Sequence, residues 1–541
     1  MCYNARDTRL SIESYAQCGC IILAMVSSTD IGEPDLFESL SRQVDHEKAA
    51  ARDKEAEERF RTQARRAEKR LGELIGTNSS LPVTINSINL IGGTYTRRSF
   101  LDKVFDPLLS ANRDRPYTLS EALHQVGTAA TKLQRFEIFH EPISTFIGRP
   151  DPTNPTSTPS DIDIYINARE RGRLMVKSGT DVGNVEGSAY ANVKLRNLFG
   201  GAEALDLYTS MGTRTRSAYQ AIFDTPILSD PDKRLSVDVL SSTTSKFWAS
   251  HEEILKGGGI KYSWASPLGT RHKVGYTCVC RQITGLASNA SPIVRGDAGD
   301  SVKSSISHEW VSDQRNNPFL PTKGYLLKTV SEIAGWGPLQ GDVAFWKSEM
   351  ETIGAISIPI PGIEGESGVS LSSSLRMGFL YPLPVSFNTM SKPSRINDRF
   401  QLGGPTDVRG FATSGLGPHN GQDAVGGDIY AAASTNLLFP FPRVSKDTPL
   451  RLQVFANAGR LLALKDSEGK GRSENSTEAQ KDFYGSLAQL VDGIPSLSAG
   501  VGVVYAHPVA RFELNFSLPL VVRRGEVGRK GLQFGVGISF M

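Results

Sequence analysis

The stretch best equipped for specific work is Asp398-Arg399-Phe400-Gln401-Leu402-Gly403-Gly404-Pro405-Thr406-Asp407-Val408-Arg409-Gly410-Phe411. Its glycines allow tight turns with positive φ. Arg409 stands between the large apolar groups Val408 and Phe411. A guanidinium is a planar fork of donors with no acceptor, so this side chain can hold two acceptors at once. Taken alone, Val-Arg-Gly-Phe also fits a solvated surface loop. Other chemistry is sparse. The eight histidines form no ligand-spaced cluster, and no paired Cys/His set accompanies the five cysteines. Cys278 and Cys280 are two apart in an expected strand, where they share a face and cannot easily bridge. No nucleophile, metal or cofactor is suggested; the chain is not expected to be an enzyme.

Composition narrows the class. The chain has 541 residues with 60 Lys+Arg against 57 Asp+Glu, a net charge of +3 that argues neither for nor against nucleic acid. Hydrophobic residues make up 39%, and mean hydropathy is -0.24. No apolar run approaches the ~20 residues a membrane helix needs. A membrane β-barrel remains open, because its lipid-facing residues alternate with polar ones and hide from hydropathy averages. Cys20 to Val26 is a faint signal-peptide core, but Asp7 and Glu13 spoil the basic region before it.

Several elements must position the loop. Residues 33–74 alternate in charge, as in Arg52-Asp53-Lys54-Glu55, and predict an exposed helical leader. Gly76 to Pro82 breaks it. A compact mixed segment follows. A strand is expected over 83–90, helices over 97–109 and from Ser120 to Leu133, then strands over 136–147 and 161–167. From Arg171 onward, segments of ten to fifteen residues alternate apolar and polar. In Arg511 to Leu520, Phe512, Leu514, Phe516, Leu518 and Leu520 share one face, while Glu513, Asn515 and Ser517 share the other. In Gly531 to Phe540 the even positions are apolar. Strands of about ten residues fit a tilted bilayer crossing.

About sixteen strands are expected, an even number as closed membrane barrels require. The three longest connections, 287–300, 382–425 and 464–495, follow the seventh, eleventh and thirteenth strands. Membrane barrels have long loops on one side and short turns on the other. A soluble all-β repeat has no reason to obey that parity. The fold expected is a membrane β-barrel of about 16 antiparallel strands after one small α+β domain.

The order β-α-α-β-β over 82–170 resembles a POTRA (polypeptide-transport-associated) module, whose open sheet edge can accept an extended peptide. That module, the strands and Leu402-Gly403-Gly404…Val408-Arg409-Gly410-Phe411 together resemble the BamA-type outer-membrane protein insertase family. So do Gly426-Gly427-Asp428, Phe439-Pro440-Phe441-Pro442 and Val454-Phe455-Ala456-Asn457-Ala458-Gly459. A single POTRA points to the mitochondrial branch, the core of the sorting and assembly machinery. The resemblance covers roughly 82–541. It implies a POTRA-like domain over 82–170 and a barrel over 171–541 with a lumen loop at 382–425; the charge pattern sets a tail with a helical leader, 1–81, apart from it.

The resemblance further implies insertion of β-barrel precursors into the mitochondrial outer membrane, with the POTRA-like domain in the intermembrane space. Implied partners are precursor β-signal strands, accessory subunits of the machinery and the lipid bilayer; no nucleic acid is expected. In that family the loop arginine contacts polar groups on the twelfth and thirteenth strands. Alternation turns Asn436 and Asn457 inward there. Where bacterial relatives carry carboxylates this chain has amides, so hydrogen bonds rather than ion pairs are expected for Arg409, with a further acceptor or water needed. Asp428 and Glu513 also point inward. The first and last strands carry glycines, Gly172 and Gly179, then Gly531, Gly535 and Gly537; such residues weaken a strand or relieve crowding at the seam. Gln533, Gly535, Ile538 and Phe540 fit the β-signal of mitochondrial barrel precursors. The alternative reading is a passive channel, or a single-substrate secretion pore of the same superfamily.

Overall fold

The computed structural model describes residues 46–148, 150, 158–183, 186–359, 368–384, 393–442, 448–464, 476–507 and 510–537. The chain divides into two units, Met1–Ser80 and Leu81–Met541. In the first, helix α1 (His46–Thr77) carries the charged leader sequence, and its described side chains are mostly exposed.

The second unit begins with the small α+β domain: β1 (Pro82–Ile91), α2 (Arg98–Asp114), β2 (Tyr117–Thr118), α3 (Leu119–Gln134), β3 (Ser144–Gly148) and β4 (Asp161–Asn167). The sheet runs β2-β1-β4-β3. β1 and β4 are parallel, and β3 is an antiparallel edge. Val83, Ile85, Phe100, Val104, Leu133 and Ile166 are among the side chains that fill the core beneath two helices. Thr118 and Glu121 cap α3 reciprocally.

Two expectations in this domain need correction. The strand expected over 136–147 is confined to Ser144–Gly148. Phe136, Ile138 and Phe139 are buried, but as loop residues under the helices; Glu137, at φ 59°, turns the chain out of extended geometry. The helix expected to end at Leu109 runs to Asp114. Asn112 holds its last turn, accepting the Ile85 N–H at 2.6 Å.

The barrel has sixteen antiparallel strands, in chain order around the wall. They are β5 (Leu174–Gly183), β6 (Glu186–Arg196), β7 (Ala204–Gly212), β8 (Thr215–Ile227), β9 (Asp230–Lys246), β10 (His251–Ala265), β11 (Arg271–Thr284) and β12 (Gly299–Asp313). There follow β13 (Gly324–Ala334), β14 (Phe345–Ser357), β15 (Ser370–Pro382), β18 (Ile429–Pro440), β19 (Leu450–Leu462), β20 (Ser496–Ala506), β21 (Arg511–Val521) and β22 (Gly531–Gly537). Between β15 and β18 the two-residue strands β16 (His419–Asn420) and β17 (Asp423–Ala424) form a hairpin. Helix α4 (Pro292–Gly296) follows β11, and α5 (Ser476–Asp492) follows β19.

The two faces of the wall differ as the alternation requires. In β21, Leu514 and Phe516 are exposed outward while Glu513, Asn515 and Ser517 are buried inward. The three longest connections leave the seventh, eleventh and thirteenth barrel strands. The connections after the eighth and tenth, 314–323 and 358–369, are longer than tight turns.

Candidate functional site: the lumen loop and the barrel seam

The long connection before β18 folds into the barrel and packs as a plug. Phe400, Leu402, Val408, Phe411 and Leu416 are buried together against Leu380, Tyr430, Ala432 and Leu461 of the inner wall. Phe400 pairs with Gly427, and Leu402 with Leu416, so the loop carries its own short bridges. Its base is tied to one side of the lumen by the buried pair Arg281 Nη1–Asp398 Oδ1, 2.5 Å. A second pair, Arg376–Asp407 at 2.7 Å, fixes the turn, whose Gly403 N–H also reaches Asp407.

Arg409 occupies the far side and is fully buried. Here the expectation of hydrogen bonds rather than ion pairs is corrected, and the further acceptor that the amides required is Glu513. Nε donates to Glu513 Oε2 at 2.9 Å and Nη2 to Glu513 Oε1 at 3.2 Å, a two-pronged ion pair with no solvent exposure on either partner. Nη1 donates to Asn436 Oδ1 at 3.3 Å. The Asn457 carboxamide is oriented by its network. Its oxygen accepts the Arg409 backbone N–H at 2.9 Å, and its nitrogen donates to Ser434 Oγ at 2.7 Å; the reverse orientation would face Nη1 at 3.4 Å. Asn457 thus holds the main chain and Asn436 the guanidinium. The Phe455 ring lies 4.9 Å from the guanidinium carbon.

Glu513 is the hub. It also receives Arg511 Nη2 at 2.6 Å, Asn515 Nδ2 at 2.7 Å and Gln453 Nε2 at 3.2 Å. One carboxylate therefore serves two guanidiniums, which answers the desolvation of both with short charge-assisted bonds. Alternation showed Glu513 facing inward, but not its height against the loop. Gln453, on β19, is a partner the sequence reading missed; the same inward alternation would have found it.

Gly410 turns beside the arginine at φ +84°, and a Cβ there would meet Ser498 Cβ at 2.8 Å. Ser498 Oγ donates to the Arg409 carbonyl. The tip then runs to the last strand. Gln533 Oε1 accepts the Gly410 N–H at 2.8 Å, and Gln533 Nε2 donates to the Phe411 carbonyl at 3.2 Å. The connection before β22 adds main-chain bonds: Arg529 N–H to Gly410 O, Ala412 N–H to Val527 O, and Val527 N–H to Gly415 O. Of the β-signal positions, Gln533 grips the loop and Gly535 lies opposite Glu513 in the ladder. Ile538 and Phe540 lie outside the described residues.

Hydrogen-bonded ladders join every neighbouring pair from β5 round to β22. β22 and β5 lie side by side, yet no ladder joins them among the described residues. The seam is therefore the one junction between neighbouring strands of the wall without a ladder among the described residues.

An Omp85 superfamily domain matches residues 197–540. The chain belongs to the Omp85 superfamily. It is 39% identical over 475 residues to a SAM50-like protein of Schizosaccharomyces pombe, covering 87% of this chain and 94% of that protein. It is 33% identical over 429 residues to the human Sorting and assembly machinery component 50 homolog, covering 78% and 84%. The solved structure of BamA from Haemophilus ducreyi lacking POTRA domains 1-3 matches with a TM-score of 0.64 at 16% identity, over 84% of each chain, a likeness of fold. In this Omp85 chain the lumen loop is thus held by one connected set of residues, from Arg281 on one wall to Gln533 on the last strand.

Proposed function

We propose that this protein inserts and assembles β-barrel precursors into the mitochondrial outer membrane, using the β5–β22 seam as a template. The observation that carries the reading is the seam itself: β5 and β22 lie side by side, and among the described residues no ladder joins them. A sheet edge that opens can bind an incoming strand through backbone hydrogen bonds. That work needs no covalent step, nucleophile or metal. The Sorting and assembly machinery names of the relatives support this assignment. The lumen loop gives the last strand support from inside, through Gln533, while its outer edge is offered to a precursor. Accessory subunits would bind the protein in the same membrane, with the POTRA-like domain on the intermembrane-space side.

A passive channel is the weaker reading, because the loop inside the barrel is anchored, with Val408, Phe411 and Leu416 buried against the inner wall. The deciding experiment reconstitutes the purified full chain in vesicles. It follows folding of an unfolded barrel precursor added from outside, and ion conductance in parallel. Accelerated precursor folding with little steady conductance supports the assignment. Conductance without any acceleration would refute it in favour of the channel.

A further inference from the structure

Helix α5 stands against the outer wall of the barrel. In β15, Leu375 and Met377 are exposed on the outer face, and Phe379 and Tyr381 share that face by alternation. Phe483 packs edge-on against both, at centroid distances of 5.9 and 5.4 Å. Ile429 stands opposite Phe379 in the ladder, hence outward, yet it is only 1% exposed. In β19 the exposed Val454 marks the outer face, and Arg460 shares it. Arg460 is nevertheless buried, and its Nη1 donates to the Leu490 carbonyl in the last turn of α5, at 3.4 Å. A cation is favoured at that end of a helix.

The rest of the helix shows two more faces. Tyr484, Leu487 and Val491 follow one another at intervals of a turn, and Ile494 continues the line just past the end; they are 67, 39, 78 and 71% exposed. Gly485, Gln489 and Asp492 are also exposed, on another side. A helix between a core and water needs two faces, one apolar and one polar. This one has a wall face, an apolar face with no protein against it among the described residues, and a polar face.

We infer that α5 is an interfacial helix that seats Tyr484, Leu487, Val491 and Ile494 in the bilayer, beside strands β15, β18 and β19. The occupant is lipid because the stripe continues the barrel's own outward apolar surface, reached through Phe379 and Tyr381 at the long-connection end of the wall. Amphipathic helices of this kind bury their apolar face ~5–10 Å into the headgroup and acyl boundary. The inference rests on the barrel spanning a bilayer and is independent of what the seam does.

The test places a photoreactive benzophenone amino acid at Val491, or at Gln489 on the polar face, in the full chain. Each form is reconstituted in phosphatidylcholine vesicles carrying an alkyne-tagged phosphatidylcholine. Position 491 should give several-fold more tagged lipid adduct than position 489, with no other protein present. In a Tyr484→Ser, Leu487→Ser background that keeps the barrel's heat-modifiable mobility, the adduct at 491 should fall several-fold. Equal yields at 491 and 489 would overturn the inference. So would a probe at 491 that reaches lipid poorly in vesicles but crosslinks a protein in the native membrane.

Discussion

Arg409 and Glu513 share a site with no solvent exposure. Taking either charge out of water costs several kcal/mol, offset only by close geometry and full hydrogen bonding. Arg511 makes the two partners unequal. Arg409→Ala leaves Glu513 still paired with Arg511 at 2.6 Å; Glu513→Ala leaves two buried guanidiniums facing one another. Both changes should destabilise the loop–wall unit, by about 3–5 kcal/mol for an uncompensated partner, with Glu513→Ala the worse. Denaturant unfolding in vesicles measures it, and equal losses would show that Arg511 takes no part. Arg409→Lys should recover only part of the loss, since an ammonium cannot span both carboxylate oxygens and Asn436. The arginine and its loop stood out in the sequence by type and spacing, but residue types alone also fitted a surface loop, and the place inside the barrel came from the family resemblance. Its carboxylate partner was legible only in direction, because strand alternation gives the face of Glu513 and never its height relative to a loop that folds back inside.

A second carboxylate, Glu170, lies in the link between the small domain and β5. Burial pushes its carboxyl up, but hydrogen bonds from Thr96, Tyr95 and Thr94 outweigh this and hold it below the ordinary range. Its folded value is thus below its unfolded one, so its contribution is present above the unfolded value and is lost as pH falls through the depressed folded value. Amide protection at Tyr95 and Thr96, corrected for intrinsic exchange, should therefore decline below about pH 4. Glu170→Gln should lower protection at neutral pH and remove that dependence. A decline that persists in the variant would assign it to another group.

At the scale of elements, the alternation within each strand divides lipid from lumen. Leu514→Arg sets a charge on the outer face and should cost roughly 2–4 kcal/mol if it lies near the midplane. Asn515 is a poor inward control, since it is packed against Glu513 and Gln453. Val330 is a better one: its ladder neighbours are Glu309 and Glu349, on the same face. Val330→Arg should be nearly neutral by the same unfolding measurement. Strand periodicity was the clearest signal in the chain because both faces obey it over many residues. It misled at 136–147, where apolar residues at Phe136, Ile138 and Phe139 answer to a helix layer instead of a sheet. Helix α5 left a weak trace, since it divides among three environments and its apolar stripe is short.

At the scale of the whole molecule, the second unit joins a small domain to a barrel through charges on the short-turn side. Arg97 pairs with Glu203 at 2.6 Å, and Arg135 pairs with Asp232. Removing residues 83–168 should leave a barrel that still enters membranes but processes precursors slowly, as the open β3 edge is lost with the domain. Precursor assembly at the full rate by the truncated chain would exclude the domain from the activity. The overall plan was legible because strand number and connection length are sums over many residues. The pairing of the seam was not, because a sequence specifies which edges exist and leaves their partner open.

The central claim is that the seam reads a precursor as a strand in register. The most direct measurement introduces single cysteines at successive positions of β5 and β22 in the full chain. Each is challenged with a β-signal peptide bearing one cysteine at a known position, and disulfide yields are mapped. The account predicts a ladder: yields that alternate with period two along β5, and a partner that moves by two residues when the peptide cysteine is moved by two. Yields without alternation or register, or confined to lumen-facing positions of other strands, would contradict it.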